Sequence, residues 1–197
     1  MLKLTAATGN RGKIAEIKRI LAGLPFMVSS MDEAGIKLDI EETGATFSEN
    51  ALIKARALHT VTGGYVIADD SGLETDALGG MPGVFSARFA GEGASDKEKN
   101  DKLLAMLEGI PEERRTARFV CAIAALMPDG TEIVTEGKCE GIIAFKPSGE
   151  GGFGYDPIFF VPDKNMTTAE MSGDDKDKIS HRGKALRLMA EELKKRL

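Results

Sequence analysis

The sequence predicts an α/β fold: a mixed sheet with helices on both sides, split into two lobes by a cleft. Three observations predict it. Strand and helix patterns alternate through the N-terminal half, a long β-hairpin pattern occupies the middle, and an amphipathic helix closes the chain. There is no internal repeat, low-complexity tract or linker. The 197 residues are enough for one large domain or two small lobes around a shared core. Residues 1–197 are therefore read as a single domain.

Leu2 to Thr8 is an apolar run that predicts a buried strand. Ile14, Ile17, Ile20 and Leu21 then follow helical spacing, with Gly23 and Pro25 as stop signals. Phe26 to Ser30 predicts a second strand and Ile36 to Ile40 a further short extended piece. Thr46 and Glu49 form a capping box ahead of an Ala- and Leu-rich helix that ends at Gly63-Gly64. Asn50 and Lys54 share one face of that helix. Tyr65 to Ala68 predicts a short strand that stops at Asp69-Asp70-Ser71-Gly72. Residues 79–93 are a glycine-dense loop, and Asp96 to Leu107 a helix. Arg118 to Met127 and Thr131 to Phe145 predict a hairpin about Pro128-Asp129-Gly130. Residues 149–154 are a second glycine-dense loop, Ile158 to Val161 a short strand and Thr167 to Ser172 a short helix. From Ser180 on, Leu186, Met189, Ala190, Leu193 and Leu197 repeat with helical spacing.

Bulk properties narrow the function. A formal net charge of −5 argues against a broad nucleic-acid surface, which shows a basic excess. No apolar run approaches the roughly 20 residues of a membrane span. The start reads directly into a strand and not into a signal peptide, so the cytoplasm is expected. Cys121 and Cys139 lack metal-ligand spacing. They flank the hairpin turn, could be cross-strand neighbours, and are read as buried thiols.

Four stretches carry chemistry. In Thr8-Gly9-Asn10-Arg11-Gly12-Lys13, a small-residue turn leads from strand to helix. Such a turn leaves N–H donors at a helix N-terminus, suited to a phosphate, and Gly9 and Gly12 permit positive φ. Glu41-Glu42 precedes a helix. Asp69-Asp70-Ser71 follows a strand. Clustered carboxylates suit Mg²⁺, a hard cation that shares its shell with waters and substrate phosphates. Lys13 and Lys54 then fit metal-assisted phosphoryl chemistry. Last, Phe153 lies among glycines beside Gly154, Tyr155 and Asp156. Its ring can anchor the loop or stack on a base whose edge Asp156 reads. His181 and Arg182 at a helix start can be surface groups or donors to a carbonyl or phosphate.

The segments TGNRGK, EETG with TFSENALIKA, ADDSGL, GGFGYDPIF and SHRGKAL occur in this order. Together, from Thr8 to Leu186, they resemble the inosine triphosphate pyrophosphatase family in its bacterial form. The resemblance implies a long curved sheet around a central cleft, and hydrolysis of dITP, ITP and XTP to monophosphate and pyrophosphate. It implies Mg²⁺ and a homodimer. It also implies that Thr8 to Lys13 and Lys54 hold phosphates, and that Asp70 is both general base and metal ligand. Either Glu41 or Glu42 is the second ligand. Ser71 contacts substrate, and Phe153, Gly154, Tyr155, Asp156, Lys176, His181 and Arg182 bind the nucleoside, with Lys178 a rival for Lys176. A Maf-type nucleotide pyrophosphatase and a non-enzymatic nucleotide- or RNA-binding module are the competing readings.

Overall fold

The computed structural model describes all residues, Met1–Leu197. β1 (Leu2–Ala6) leads through α1 (Arg11–Ile20) to β2 (Phe26–Ser30). α2 (Phe47–Thr62) precedes β3 (Tyr65–Thr75), and α3 (Asp96–Met106) precedes the hairpin of β4 (Thr116–Leu126) and β5 (Glu132–Ile143). β6 (Phe159–Val161), β7 (Met166–Thr167), α4 (Gly173–Ile179) and α5 (His181–Lys194) complete the chain. The strands form one sheet in the order β2-β1-β3-β4-β5-β6-β7. β1 is parallel to β2 and β3, whereas β6 is antiparallel to β5 and β7, so the sheet is mixed as expected.

Local signals explain the helix starts. The Asn10 side chain caps α1 by accepting from the N–H groups of Gly12 and Lys13. Thr46 caps α2 by accepting from Glu49 N, and Glu49 answers by accepting from Ala45 N, one residue before the cap. Ser95 and Glu98 make a full capping box on α3. Its last turn is closed by Arg115, a buried guanidinium that donates to the carbonyls of Leu107, Ile143 and Ala144.

The chain divides into two compact units. The first comprises Met1–Asp70, Cys121–Gly137 and His181–Leu197; the second comprises Ser71–Val120 and Lys138–Ser180. Each has its own core. In the first unit Leu4, Ile14, Ile17, Ile67, Ile123, Leu186 and Met189 pack together. In the second, Leu73, Leu103, Leu107, Phe119, Ile143, Ile158 and Phe159 do so. Cys121 lies in the first core and Cys139 in the second; both are buried and neither is in a disulfide.

Four local expectations change. Ile36 to Ile40 alternates half-buried and exposed residues as a strand would, but joins no ladder of the sheet. Thr167 to Ser172 is not helical; the helix is α4, started by Ser172, whose hydroxyl accepts from Asp175 N. α4 has no buried residue, so the apolar period that marks other helices was missing. Gly9 and Gly12 do not take up positive φ. Most important, β3 does not stop at Ala68 but runs on through Asp69-Asp70-Ser71 to Thr75. Backbone ladder bonds are indifferent to side-chain type. Asp and Ser read as turn formers because their side chains compete for local backbone groups. Here the two carboxylates have partners elsewhere, and the strand persists.

Candidate active site

Because side chains alternate across a strand, Asp69 and Asp70 address opposite faces of the sheet. Asp69 Oδ2 meets Lys13 Nζ at 2.8 Å and Arg182 Nε at 3.4 Å. Arg182 also donates from Nη1 to Glu16 at 3.2 Å. Asp69, Arg182 and Glu16 are all buried. This network ties α1, β3 and α5 of the first unit together. Burial pushes the Asp69 carboxyl up, but the charges of Lys13 and Arg182 outweigh it and hold it well below the usual range. Arg182 is reciprocally held as a cation.

On the other face, Lys54 Nζ lies 2.6 Å from Glu42 Oε1 and 3.2 Å from Asp70 Oδ1. Asn50, one helical turn before Lys54, donates to Asp70 Oδ2 at 3.1 Å. Burial and then the Glu42 charge raise the Asp70 pKa, with Lys54 opposing. A carboxyl so placed accepts a proton more readily than an exposed one. Of the two adjacent glutamates, Glu41 is exposed, while Glu42 is half-buried and meets Lys54.

The residues fit a divalent cation. An ammonium already sits between two converging carboxylates, so the place favours positive charge. No group of three or more Asp, Glu, His or Cys side chains converges. Two carboxylates suit an ion that completes its shell with waters and phosphate oxygens, as Mg²⁺ does.

The loop ahead of α1 is more self-satisfied than a bare cradle. Thr8 Oγ1 accepts from Asn10 N at 3.1 Å, and Asn10 Oδ1 takes the Gly12 and Lys13 donors. Gly9, Asn10, Arg11 and Gly12 are exposed. An arriving phosphate would therefore exchange with the cap for those donors. His181 opens α5, half-buried.

In the second unit, Asp156 is the organising residue of the loop at 149–154. It is buried and accepts from Phe153 N at 2.8 Å and from Thr168 Oγ1 at 2.8 Å, and it pairs with Lys176. Gly152 adopts φ 76°, and a Cβ there would collide with the Asp156 carboxylate. The Phe153 ring is 58% exposed with the Lys176 ammonium 5.0 Å from its centre. Over half of the ring is open to solvent, with the ammonium against it. Lys176, on α4, makes these contacts, whereas Lys178 pairs with exposed Asp175. Tyr155 is buried and donates to Ser86 O at 2.9 Å. Gly154 is held at both polar atoms by α3: its N–H donates to Asp96 Oδ2 at 2.6 Å and its carbonyl accepts from Asn100 at 3.1 Å. Ser71 is half-buried, the first residue of this unit. A trough of about 460 Å³ in this unit, lined by Leu104, Leu107, Ile110, Arg115 and Phe145, contains none of these residues.

Sequence reading missed Glu16, Asn50, Asp96 and Asn100 as site-supporting residues. Helical spacing held a signal for two of them: Glu16 is three residues from Lys13, and Asn50 four from Lys54. Asp96 and Asn100 left no comparable trace, because their partner is a backbone far along the chain.

The profile of the Ham1 family matches residues 4–192. Relatives described as dITP/XTP pyrophosphatases include those of Desulforamulus reducens, 50% identical over 94% of this chain and 92% of the relative, and of Bacillus subtilis, 50% identical over 96% of each. A HAM1 protein from Coxiella burnetii superposes with a TM-score of 0.92 at 43% identity, covering 99% of this chain and 100% of that one. The Ham1 protein of Staphylococcus aureus gives 0.91 at 42% identity over the same shares. The resemblance drawn from the five motifs is thereby upheld, and the Maf-type alternative finds no support. With a profile match over nearly its full length and relatives half identical to it, the chain belongs to the Ham1 family.

Proposed function

We propose that this protein hydrolyses non-canonical purine nucleoside triphosphates, dITP, ITP and XTP, to the monophosphate and pyrophosphate. The observation that carries the chemistry is the placement of Glu42 and Asp70 about one cation, Lys54. Relatives described as dITP/XTP pyrophosphatases supply the substrate class.

Asp70 is the general base: it takes a proton from the water whose oxygen attacks the α-phosphorus, the bond from that phosphorus to the α,β-bridging oxygen breaks, and pyrophosphate departs with that oxygen and the electron pair. Glu42 and Asp70 would hold Mg²⁺, which when bound neutralises phosphate oxygens and acidifies water. Lys13 and Lys54, with the N–H groups of residues 9–13, bind the phosphates and offset the charge that grows on the leaving group. Asp69 keeps Lys13 in place. In the second unit, the exposed Phe153 face stacks on the base, positioned through Asp156 and Lys176. Ser71 contacts substrate. His181 and Arg182 serve the base, Arg182 already fixed by Asp69 and Glu16. Donors matched to a 6-oxo group are left unpaired by adenine, at a cost of roughly 1–3 kcal/mol per group.

We further propose that residues 1–197 are a single pyrophosphatase domain, acting as a homodimer in the cytoplasm. The family resemblance supports the dimer, and two buried cysteines outside any disulfide fit a reducing compartment. No helix is long and apolar enough to cross a membrane. Sedimentation velocity tests the dimer. Hydrolysis of dITP, XTP, dGTP, dATP, dTTP and UTP, each with Mg²⁺ at one concentration, tests the function; equal rates across the panel would overturn it. Failure to release pyrophosphate from any of them would favour a binding module.

A further inference from the structure

Asn50 has no part in the chemistry above, yet it is among the most buried polar residues of the chain, 1% exposed within α2. A buried amide is costly unless its groups are paired, so its partners define what it does. Its Nδ2 donates to Asp70 Oδ2 at 3.1 Å, and its Oδ1 accepts from Gly44 N at 2.8 Å. The orientation is dictated by chemistry, since a backbone N–H can only donate and Oδ1 must face it. Gly44 is two residues beyond Glu42. The two ends of one amide thus land on the two segments that carry the proposed metal carboxylates. With Oδ2 taken by Asn50, Asp70 turns Oδ1 towards Lys54, the cation that Glu42 also meets.

Gly44 is matched to this arrangement. A Cβ there would lie 2.7 Å from Asn50 Oδ1, 2.7 Å from Glu49 Cβ and 2.9 Å from Asn50 N. Only a residue without a side chain brings the Glu42 segment close enough for the bond.

We propose that Asn50, working against Gly44, is a positioning residue for the hydrolysis, the single amide that sets the spacing and aim of Glu42 and Asp70. It does not touch the substrate. The inference rests on the pyrophosphatase reading of the site. If Asn50 were only a buried structural amide, its replacement would lower stability and leave turnover per folded molecule unchanged.

The test uses the full chain with Asn50→Asp, Asn50→Leu, Gly44→Ala and Asp70→Asn, each checked for folding by circular dichroism. Asn50→Asp keeps the shape and can still accept from Gly44, but offers Asp70 an oxygen in place of a donor. For dITP hydrolysis, kcat per folded molecule should fall about 10–100-fold in Asn50→Asp, the range seen when groups that orient metal ligands are lost. The half-saturating Mg²⁺ should rise by a similar factor, while KM for dITP changes little. Gly44→Ala should reproduce the pattern from the other end. Mn²⁺ binding, followed by its paramagnetic resonance signal with a non-hydrolysable dITP analogue present, should weaken in parallel. Folded Asn50→Asp and Gly44→Ala with near wild-type kcat and metal requirement, beside an inactive Asp70→Asn, would overturn the positioning role alone. A wild type that releases no pyrophosphate would remove the pyrophosphatase reading and this role with it, whereas a fully active Asp70→Asn would leave the reading and overturn the roles of Asp70 and Asn50.

Discussion

Asp69 and Asp70 are neighbours in β3, yet Asp69 pairs with Lys13 on one face of the sheet and Asp70 with Lys54 on the other. The alternation of a strand separates two identical side chains into different tasks. One is a carboxylate whose proton affinity is lowered by two cations; the other is a carboxyl whose proton affinity is raised.

Asp70→Asn removes the proposed base while keeping the shape and an amide oxygen that can accept from Asn50. Its kcat should drop by about 10²–10⁴-fold, the usual contribution of general base catalysis, with nucleotide binding retained. Steady-state kinetics beside equilibrium binding of a non-hydrolysable analogue checks this. Near-normal turnover would show that Asp70 is not the base.

Asp69→Asn should act on stability first. It removes the carboxylate that Lys13 and Arg182 share, and breaking a buried pair in this way costs about 3–5 kcal/mol. The folded-state pKa of Asp69 is depressed, so its stabilisation is present above the unfolded value near 3.8 and is lost as pH falls towards the folded value. Urea denaturation of both proteins should therefore show a gap at pH 7 that narrows below pH 4. A gap that is constant with pH would contradict the charge assignment.

Lys54 neutralises the place proposed for the metal. Burial opposes its charge, but Asp70 and Glu42 outweigh this and raise its pKa, so it remains an ammonium there. Lys54→Ala should tighten binding of Mg²⁺ to the nucleotide-free protein by about tenfold, the effect of removing one like charge a few ångströms away under strong screening. Activity should still fall, because a phosphate contact is lost. Calorimetry without nucleotide reads the first effect; unchanged or weaker metal binding would argue against a shared place.

α3 grips both polar atoms of Gly154 beside the Phe153 ring. Asp96→Ala and Asn100→Ala should raise KM for dITP by roughly tenfold each, the worth of a hydrogen bond of this type, with kcat nearly unchanged. Phe153→Ala should move KM in the same direction. An altered kcat with constant KM would place the clamp elsewhere in the reaction.

Much was legible in the sequence because it is written at short range. Asn10 and Thr46 announce helix starts through bonds that close within a few residues, and apolar spacing marks α1 and α5. The motifs supplied the acidic pairs, Lys13, Lys54 and the Phe153 loop. Short-range signals also misled where tertiary contacts outweighed them, as when the strand pattern ended at Ala68 yet β3 ran on through Asp69-Asp70-Ser71.

What only the tertiary structure decided is which neighbour pairs with which cation. Nothing local separates Glu41 from Glu42, or Asp69 from Asp70. The choice lies in which side chain faces Lys54, a residue 12 positions from one carboxylate and 16 from the other. Nor does a helix sequence reveal that Asn50 joins Gly44 to Asp70, or that Asp96 and Asn100 hold a glycine more than 50 residues away. Caps and periods are set by the backbone's own geometry. Electrostatic pairing is set by distances that exist only once the sheet has brought remote segments together.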